Sequence, residues 1–580
     1  MMTSSPNYVF AAKLSEVQNA GCTAVHVNGH TVALFAYNDR VYAVDNRCPH
    51  MGFPLDKGTV KDGILTCYWH YARFDLASGG TFDQFADDVR AFPVEVRGDE
   101  VWIDTAPPSD LKGHHQERLR VGLERDLPLV IGKAALVLLE HDGDPITPFR
   151  VGLEFGTRYR QAGWGQGLTI LVCMMNILPY LNQEDKPRAL YKGLSAVARE
   201  SFGSAPRFPI RPLTTNTTDI PTFKRWFRQF IEVRDDEGAE RCLISAIRAG
   251  ADDRQLADIL FSAATDHRYI QIGHVADFTN KAFEALDIAG WDLAETVLPS
   301  LVTAYANASR QEESNAWRNP IDLIEILDEA FVQLPQVVAQ GREYRGQWRG
   351  QDNLIPLLLS DNPRNSVEAL LAALAAGAVE TELAASVSYA AALRIARFHT
   401  SNEFTDWDTA LHTFTFANAI EQGLHRAPSI ELLRGVFDAA MSVYLDRFLN
   451  IPAAPLPQPN GKSTDTTALL AELPALLNRQ QQVNQAADYV ARYLFHDGQP
   501  DQLLAMLGKL LLREDRDFHT IQTVEGAFKQ YTHRRGTVDG AHALIAAARY
   551  LAAHAPTVRA QEQTFSIAQR LHRGERLFEG

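Results

Sequence analysis

The 580-residue sequence has few cysteines and no long hydrophobic run; its five cysteines are Cys22, Cys48, Cys67, Cys173 and Cys242. So few cysteines do not make a disulfide framework, which favours a reducing cytoplasm as the location. The most apolar run, LTILVCMMNIL at 168–178, is shorter than the roughly 20 residues that cross a bilayer. The start, MMTSSPNYVF, lacks the basic and apolar parts of a signal peptide. We therefore predict a cytoplasmic protein with no membrane partner.

The sequence also lacks basic clusters and nucleotide-binding loops. Its formal net charge is −15, and no long basic run could neutralise phosphates, which argues against a nucleic-acid partner. No glycine-rich loop follows a predicted strand, and no Gly-x-Ser-x-Gly or His-Glu-x2-His motif occurs. The chain thus has no evident flavin or dinucleotide site. What remains is a globular composition, 46% hydrophobic and 22% charged, in a chain long enough for several domains.

The chain changes character near residue 106. Before it, β-rich runs alternate with hairpin signals at Asn28-Gly29, Asn38-Asp39 and Gly98-Asp99. After it, apolar residues recur at helical spacing, with a proline-rich break near residues 450–466. The prediction is a multidomain protein, a small all-β domain followed by a large all-α region. Its parts are a β-domain at 1–106, a linker at 107–116, an all-α domain at 117–450 and a C-terminal helical block at 466–580 that packs on the preceding domain.

The stretch CPHMGFPLDKGTVKDGILTCYWH contains two Cys/His pairs, Cys48-x-His50 and Cys67-x2-His70. Structural zinc sites usually pair Cys-x2-Cys with a matching second half, because four ligands converge on one ion. Here each half offers one thiolate and one imidazole. That suits a two-iron cluster in which one iron takes both cysteines and the other takes both histidines. A structural zinc site is the alternative.

This segment resembles a ferredoxin-type Rieske [2Fe–2S] domain over about residues 7–104, under a fifth of the chain. Besides the Cys/His pairs, the resemblance rests on Gly52, Pro54-Leu55, Gly58, the Cys-x-Trp-His loop, Phe74-Asp75-Leu76, Gly79 and Phe92-Pro93-Val94. It implies a small β-domain in which Cys48, His50, Cys67 and His70 hold the cluster at an exposed tip. Both histidines would then form the port through which single electrons leave.

Residues between the ligands indicate the kind of cluster. Respiratory-chain Rieske proteins carry an extra cysteine in each loop, and Phe53 and Trp69 stand there instead, which excludes that disulfide. Those proteins also place serine and tyrosine hydroxyls against the cluster, where this chain has Ala72 and Phe74. Because such hydrogen bonds stabilise the reduced state, their absence predicts a low potential. Tyr71 departs from the usual glycine, and its phenol could hydrogen-bond nearby.

Histidines and carboxylates cluster three times in the helical region, in TDHRYIQIGHVADF, RFHTSNEFTDWDTALH and REDRDFHTIQTVEGAF. Facing histidines and carboxylates on a helical bundle can hold non-haem iron. The alternative is that they are polar packing or salt-bridging surface. His267 lies about 10.5 Å from His274 along a helix axis, so the two could share an ion only if the helix breaks, which Gly273 permits. The candidate ligands of a second metal site are His267, His274, Asp277, His399, His412 and His519.

The helical region also has a diffuse family resemblance. TDHRYIQIGH, EDRDFHTIQ and the spacing of histidines among long helices resemble the questin oxidase-like family. That family is all-helical and associated with oxidative opening of polyketide-derived aromatic rings. The early histidine-rich helix expected from it has no counterpart, since FRVGLEFGTRYRQAGWGQG holds no histidine. The pattern of the Rieske oxygenases' own catalytic domain, two nearby histidines and a distant aspartate in a helix-sheet fold, is not found.

The leading hypothesis is a Rieske-type oxidoreductase with a [2Fe–2S] cluster. It would take electrons from an external reductase or ferredoxin reductase and pass them to a site in its helical domain. There, non-haem iron would oxygenate a small organic substrate, with an aromatic one among the options. Catalytic residues are not assigned, and a homo-oligomer is one option. The alternative is an electron-transfer or redox-sensing protein whose helical domain is a partner-docking scaffold.

Overall fold

The structure is a computed structural model that describes residues 7–106, 110–214, 219–458, 465–575 and 577. Residues 107–109, the first three of the predicted linker, and residues 459–464 of the proline-rich break lie outside the described residues. The chain divides into two compact units. The first comprises the chain up to Val151 together with residues from Gln563 onward, and the second is Gly152–Glu562.

The first unit begins with short strands, as predicted. Its elements are β1 Tyr8–Lys13, α1 Leu14–Ala20, β2 Cys22–Val27, β3 His30–Tyr37, β4 Arg40–Asp45, β5 Thr59–Lys61, β6 Ile64–Thr66, β7 Arg73–Asp75, β8 Ala91–Phe92, β9 Val94–Arg97 and β10 Glu100–Asp104. They form three antiparallel sheets, ordered β1-β10-β9, β2-β3-β4-β8 and β5-β6-β7.

The predicted hairpin turns are confirmed. Asn28-Gly29 joins β2 to β3 and Asn38-Asp39 joins β3 to β4, and all four residues have the positive φ that tight hairpins demand. Gly98, with φ +62°, turns β9 into β10. The small sheet β5-β6-β7 matters most for function, because one of the Cys/His loops connects β6 to β7.

Two helices follow the sheets within the first unit, α2 Leu111–Glu124 and α3 Pro128–Asp142. Residues 111–116, which the sequence analysis assigned to a linker, form the first turns of α2. The Asp110 carboxylate caps this helix by accepting a hydrogen bond from the Gly113 N–H at 2.9 Å. The glycine and proline content of this segment predicted a linker, but the capping aspartate Asp110 allows a helix to begin within it.

The second unit is entirely helical in its described residues. Its helices, the first and last of which cross the division between the units, are α4 Ile146–Arg158, α5 Gln166–Ile177, α6 Lys186–Ser201, α7 Ile220–Glu232, α8 Asp236–Arg248, α9 Asp253–Ala264, α10 His274–Ala289, α11 Ala294–Val297, α12 Val302–Asn307, α13 Leu323–Gly341, α14 Gln351–Leu358, α15 Pro363–Ala375, α16 Glu380–Ala396, α17 Phe404–Arg426, α18 Ile430–Leu445, α19 Thr466–Leu476, α20 Val483–Phe495, α21 Pro500–Leu512, α22 Phe518–His533, α23 Val538–Ala553 and α24 Ala560–His572.

The longest of these helices, α17, forms the centre of the second unit. Its 23 residues pack against α10, α16, α18 and α22, and most of its side chains are buried on every face. A helix surrounded in this way presents polar residues to the interior only where other polar groups meet them. Of the helices that the structure describes, none combines the length and apolarity needed to cross a membrane.

Candidate metal centres

Two loops with matching backbone conformation carry the Cys/His pairs in the first unit. In one, the Gly52 N–H donates to the Cys48 carbonyl at 2.7 Å, and in the other the Tyr71 N–H donates to the Cys67 carbonyl at 3.1 Å. The residue four positions after each cysteine has a left-handed φ, +81° at Gly52 and +60° at Tyr71. This conformation explains why proteins with the resembled motif usually have glycine at the position of Tyr71. Tyr71 adopts it with its side chain 70% exposed.

The two thiols meet beneath the loops. Cys48 and Cys67 are 2% and 1% exposed, and their side chains hydrogen-bond each other. This hydrogen bond lowers the pKa of Cys67 to about 6 and raises the pKa of Cys48, because one thiol donates and the other accepts. Backbone N–H groups of the same loops also face the sulfurs, those of His50 and Met51 toward Cys48 and those of Trp69 and His70 toward Cys67. Such donors stabilise the thiolate form, which is the form that binds metal.

The two loop histidines lie edge to face, with ring centroids 5.0 Å apart. His50 is half-buried and His70 is exposed. His50 Nδ1 is buried and has no hydrogen-bond partner among the described residues. Burial, His70 and Lys133 lower the pKa of His50 to about 4, so its ring is neutral near pH 7 and keeps a free lone pair. Two thiols and two imidazoles at one tip are a donor set that suits a mixed-ligand iron cluster.

Four positions around this tip carry side chains without a hydroxyl group, namely Phe53, Trp69, Ala72 and Phe74. Phe53 and Trp69 pack against each other with ring centroids 5.8 Å apart, and Ala72 and Phe74 are fully buried. A cation does approach the first loop: Lys133 Nζ, on α3, donates a hydrogen bond to the carbonyl of Pro49, between the first cysteine and histidine.

A break in the chain before α10 shapes the second unit's centre. After α9 the backbone takes left-handed φ values at Tyr269 (+41°), Gln271 (+46°), Ile272 (+50°) and Gly273 (+90°). The Gln271 N–H donates to the Ser309 carbonyl at 2.7 Å, which helps to hold this conformation. Three non-glycine residues in this region are costly, and such strain concentrates at functional sites. The break ends at His274, the first residue of α10.

Three of the six predicted second-site residues converge here. His274 on α10, His412 on α17 and His519 on α22 each offer a ring nitrogen, and these nitrogens lie within 4.8 Å of one another. His274 Nε2 and His412 Nε2 are 3.0 Å apart. Two imidazole nitrogens bound to one ion at about 2.1 Å and at right angles also lie about 3.0 Å apart. The spacing therefore matches two ligands of one metal ion.

Asp408 orients the His412 ring through its backbone carbonyl and places its carboxylate close to the His519 ring. His412 Nδ1 donates to the Asp408 carbonyl at 2.7 Å, which leaves His412 Nε2 with its lone pair. His519 Nδ1 lies 2.7 Å from Asp408 Oδ1. His519 Nε2 is buried and finds no hydrogen-bond partner in the described structure. A carboxylate behind a histidine is the usual support of a metal-binding imidazole.

Burial keeps the three rings neutral. It lowers the pKa of His274 to about 3, with further contributions from His412 and His519. Burial also lowers the pKa values of His412 and His519. Neutral imidazoles are the metal-binding form, so the centre needs no proton loss at neutral pH before it binds a cation.

The other three predicted residues lie outside this cluster. His267 is held by Glu312, with His267 Nδ1 to Glu312 Oε1 2.7 Å, so the helix break does not bring it to the centre. His399 Nδ1 pairs with its neighbour Thr400 Oγ1 at 3.2 Å. Asp277 accepts a hydrogen bond from Gln522 and faces the buried Lys281.

A cavity of about 250 Å³ opens beside His412. Apart from His412, its wall residues were not among the predicted site residues, because they come from distant segments of the chain. The lining residues are Tyr269, Ile272, Gln311, Trp317, Asp408, Thr409, His412, Thr413, Ser442, Leu445 and Asp446. His412 is the member of the histidine triad that lines this small chamber of mixed polar and apolar walls.

Two further groups of three potential ligands occur in the described structure, Asp87/His114/His115 and Glu421/His425/His533. Their carboxylates are already engaged. Arg118 Nε lies 2.9 Å from Asp87 Oδ1, and Gln530 Nε2 donates to Glu421 Oε2 at 2.9 Å. A neighbouring guanidinium also opposes a metal cation electrostatically. The triad His274, His412 and His519 is therefore the stronger candidate.

Comparison with known proteins concerns the first unit. A family model for the Rieske [2Fe-2S] domain matches residues 7–93. The ferredoxin component of naphthalene 1,2-dioxygenase/salicylate 5-hydroxylase systems from a Ralstonia species is 28% identical over 98 residues, which are 17% of this chain and 94% of that protein. The ferredoxin component of the p-cumate 2,3-dioxygenase system from Pseudomonas putida is 30% identical over 79 residues, 13% of this chain and 67% of that protein.

Solved structures include the ferredoxin of carbazole 1,9a-dioxygenase from Nocardioides aromaticivorans IC177, which is 31% identical. The match covers 18% of this chain and 100% of that one, with a TM-score of 0.17. The relatives are electron-transfer ferredoxins of oxygenase systems, and a Rieske domain implies a [2Fe–2S] cluster. Through residues 7–93, the chain belongs to the Rieske [2Fe–2S] family.

Proposed function

We propose that the protein is a Rieske-coupled oxygenase. In the first unit, Cys48, His50, Cys67 and His70 hold the [2Fe–2S] cluster, which receives single electrons from an external reductase. In the second unit, His274, His412 and His519 would hold non-haem iron, which would supply oxygen activation for the oxidation of an organic substrate with these electrons. The paired buried thiols and the unpartnered His50 Nδ1 fit the cluster's two kinds of iron ligand.

One observation carries the helical half of this proposal: His274, His412 and His519 converge from three helices beside a cavity. Imidazole ligands suit iron as well as zinc and copper, and a Rieske domain in the same chain favours a redox-active metal. Bound iron would supply oxygen activation. The convergence of buried histidines supports an enzyme over the alternative of a docking scaffold, for which dispersed histidines are expected.

The chain's own residues have definable roles around such an iron. Asp408 fixes the ring orientation and tautomer of His412 and stands behind His519. The half-buried to buried rings exclude bulk water from the ligand nitrogens. The cavity beside His412 gives the substrate a place next to the metal, which is the positioning that such a reaction requires.

Counting iron in a cluster-free variant tests the second metal. The double variant C48S/C67S removes both thiolates, so the two cluster irons are expected to be lost while one iron per chain remains. Wild-type protein with a fully loaded cluster should contain three. Metal analysis with low-temperature EPR measures both. A variant that folds by circular dichroism and holds no iron would contradict the proposed helical centre.

A second prediction concerns the cluster's potential. The reduced cluster carries one more negative charge, which the ammonium of Lys133 near Pro49 stabilises. Lys133→Met is therefore expected to lower the reduction potential by about 40 mV, equivalent to about 1 kcal/mol for one electron. An EPR-monitored redox titration measures the shift.

Lys57→Met is the matched control, because the Lys57 side chain is 68% exposed and solvent screens its charge. It is expected to leave the potential nearly unchanged. Equal shifts in the two variants, or a rise in the Lys133 variant, would contradict the role assigned to Lys133.

A further inference from the structure

The cavity beside His412 has a buried carboxyl group in its wall. Asp446 follows directly after α18 and is only 3% exposed. Thr413, the residue after His412, hydrogen-bonds its side chain. Asp446 Oδ2, however, is buried without a hydrogen-bond partner among the residues that the structure describes. A buried acceptor left without a donor costs free energy, so this oxygen is an unusual feature of a cavity wall.

The guanidinium of Arg394 acts on Asp446 electrostatically but does not hydrogen-bond this oxygen. It donates instead to the carbonyls of Leu359 (3.3 Å) and Val443 (3.1 Å) and to Asn450 Oδ1 (3.3 Å). Burial raises the pKa of Asp446 to about 7, against the opposing effects of Thr413 and Arg394. In either protonation state the carboxyl group retains an acceptor oxygen for a ligand.

Flat and apolar side chains form another part of the same cavity. The rings of Tyr269 and Trp317 stack with centroids 5.9 Å apart and an interplanar angle of 25°. Ile272 and Leu445 add aliphatic surface. Walls of this kind favour a planar ring as ligand. At about 250 Å³, the cavity is below the range of about 300–1,000 Å³ of drug-sized pockets, so one or two rings are the size expected.

We propose that this cavity binds a small planar ring compound that carries a hydroxyl group, and that Asp446 recognises it by accepting a hydrogen bond from that hydroxyl at Oδ2. The inference rests on the proposed function in one respect: it takes the cavity beside His412 as the substrate site. Asp446 is thereby a specificity-determining residue, and the substrate class is a phenol or a bicyclic analogue of one.

This site would distinguish ring compounds by whether they supply a hydrogen-bond donor to Asp446 Oδ2. A ring without the hydroxyl would leave the buried oxygen unsatisfied, whereas the hydroxylated ring provides the missing donor. A hydrogen bond to a buried carboxyl group corresponds to about a tenfold to hundredfold difference in affinity. Sites built to bond a hydroxyl discriminate more strongly than those that only enclose a ring.

Calorimetric titration of the full-length protein with 2-naphthol and with naphthalene tests the proposal without turnover. Wild-type protein is expected to bind 2-naphthol at least tenfold more tightly than naphthalene. Asp446→Leu removes the acceptor and fills part of its space with a methyl-bearing side chain, so the preference should fall to about twofold or less. Asp446→Asn retains an acceptor oxygen and is expected to keep part of the preference.

Ser386→Ala is the control, because Ser386 is buried, is not among the residues that line the cavity, and its hydroxyl donates to the Glu382 carbonyl at 2.9 Å. It should leave the preference for 2-naphthol within about twofold of wild type. The proposal is overturned if wild-type protein binds neither compound, binds both equally, or if folded Asp446→Leu protein keeps the full preference. Iron content measured on the same samples separates the proposed ring-binding site from the proposed metal centre. If the titration fails while the helical iron is present, only the ring-binding site is contradicted.

Discussion

Replacing His412 by alanine is expected to remove the helical iron and to leave the [2Fe–2S] cluster unchanged. Of the three histidines, His412 lies closest to both others, with its Nε2 3.0 Å from that of His274 and its ring 4.8 Å from that of His519. Even changes behind a ligand cost about 10–100-fold in metal affinity, so loss of a ligand from a three-histidine site should cost more. Iron content should fall from three to two per chain, and electron-driven oxygen consumption should fall by at least about a hundredfold.

His399→Ala provides the control for this experiment. His399 was an equal candidate by sequence, but its Nδ1 pairs with Thr400 and it lies outside the cluster. It should retain three irons per chain and its oxygen consumption. An unchanged iron count in His412→Ala, with the Rieske EPR signal intact in both variants, would show that the triad does not hold iron.

Replacing Lys281 by methionine is expected to lower the free energy of unfolding of the helical unit by about 3–5 kcal/mol. Lys281 is 1% exposed, and its Nζ lies 2.8 Å from Glu525 Oε1 and 2.9 Å from Glu284 Oε2. Methionine would leave the buried Glu525 and the nearby Asp277 without this cation, and Glu284 with only the more distant Lys529, whose Nζ lies 3.6 Å from Glu284 Oε1. Urea unfolding followed by circular dichroism at 222 nm measures the change.

The surface pair Arg364–Glu329 gives the comparison. Its atoms are 2.9 Å apart, but both side chains are about half exposed, at 51% and 53%. Arg364→Met should therefore cost below about 1 kcal/mol. Combining Lys281→Met with Glu525→Gln should recover part of the loss, because it removes one of the unpaired charges. Equal losses in the two single variants would refute the buried-network interpretation.

The Rieske part of the molecule could be predicted from sequence because its signals are local. Each Cys/His pair lies within a few residues, and the hairpin turns are set by short-range backbone demands at Asn28-Gly29 and Gly98. Tyr71 illustrates what sequence alone left open: only the structure shows that a left-handed backbone at that position directs its side chain outward.

The helical centre was only partly predictable because its parts meet across the chain. His274 and His412 are 138 residues apart in sequence, and nothing local distinguishes them from His267 or His399. The partner of His267, Glu312, is supplied by a distant turn. The strained segment before His274 had only Gly273 as a signal, although three other residues share its left-handed backbone. The sequence could not identify Asp446 as a site residue, because only the folded structure shows that its Oδ2 is buried without a hydrogen-bond donor among the described residues.

The discontinuity of the first unit has a consequence for biosynthesis. Arg47 Nη2 donates to the Glu575 carbonyl at 2.8 Å, and a Cβ on Gly52 would meet Leu571 Cδ2 at 3.0 Å, so late residues pack on the first cluster loop. At about 5–20 residues per second, a ribosome needs roughly half a minute to two minutes to proceed from Gly52 to Leu571. During that interval the nascent cluster loop lacks part of its cover. Insertion of the [2Fe–2S] cluster that a Rieske domain implies is therefore expected to be most efficient after Leu571 and Glu575 have been added, when the pocket around the loop is complete.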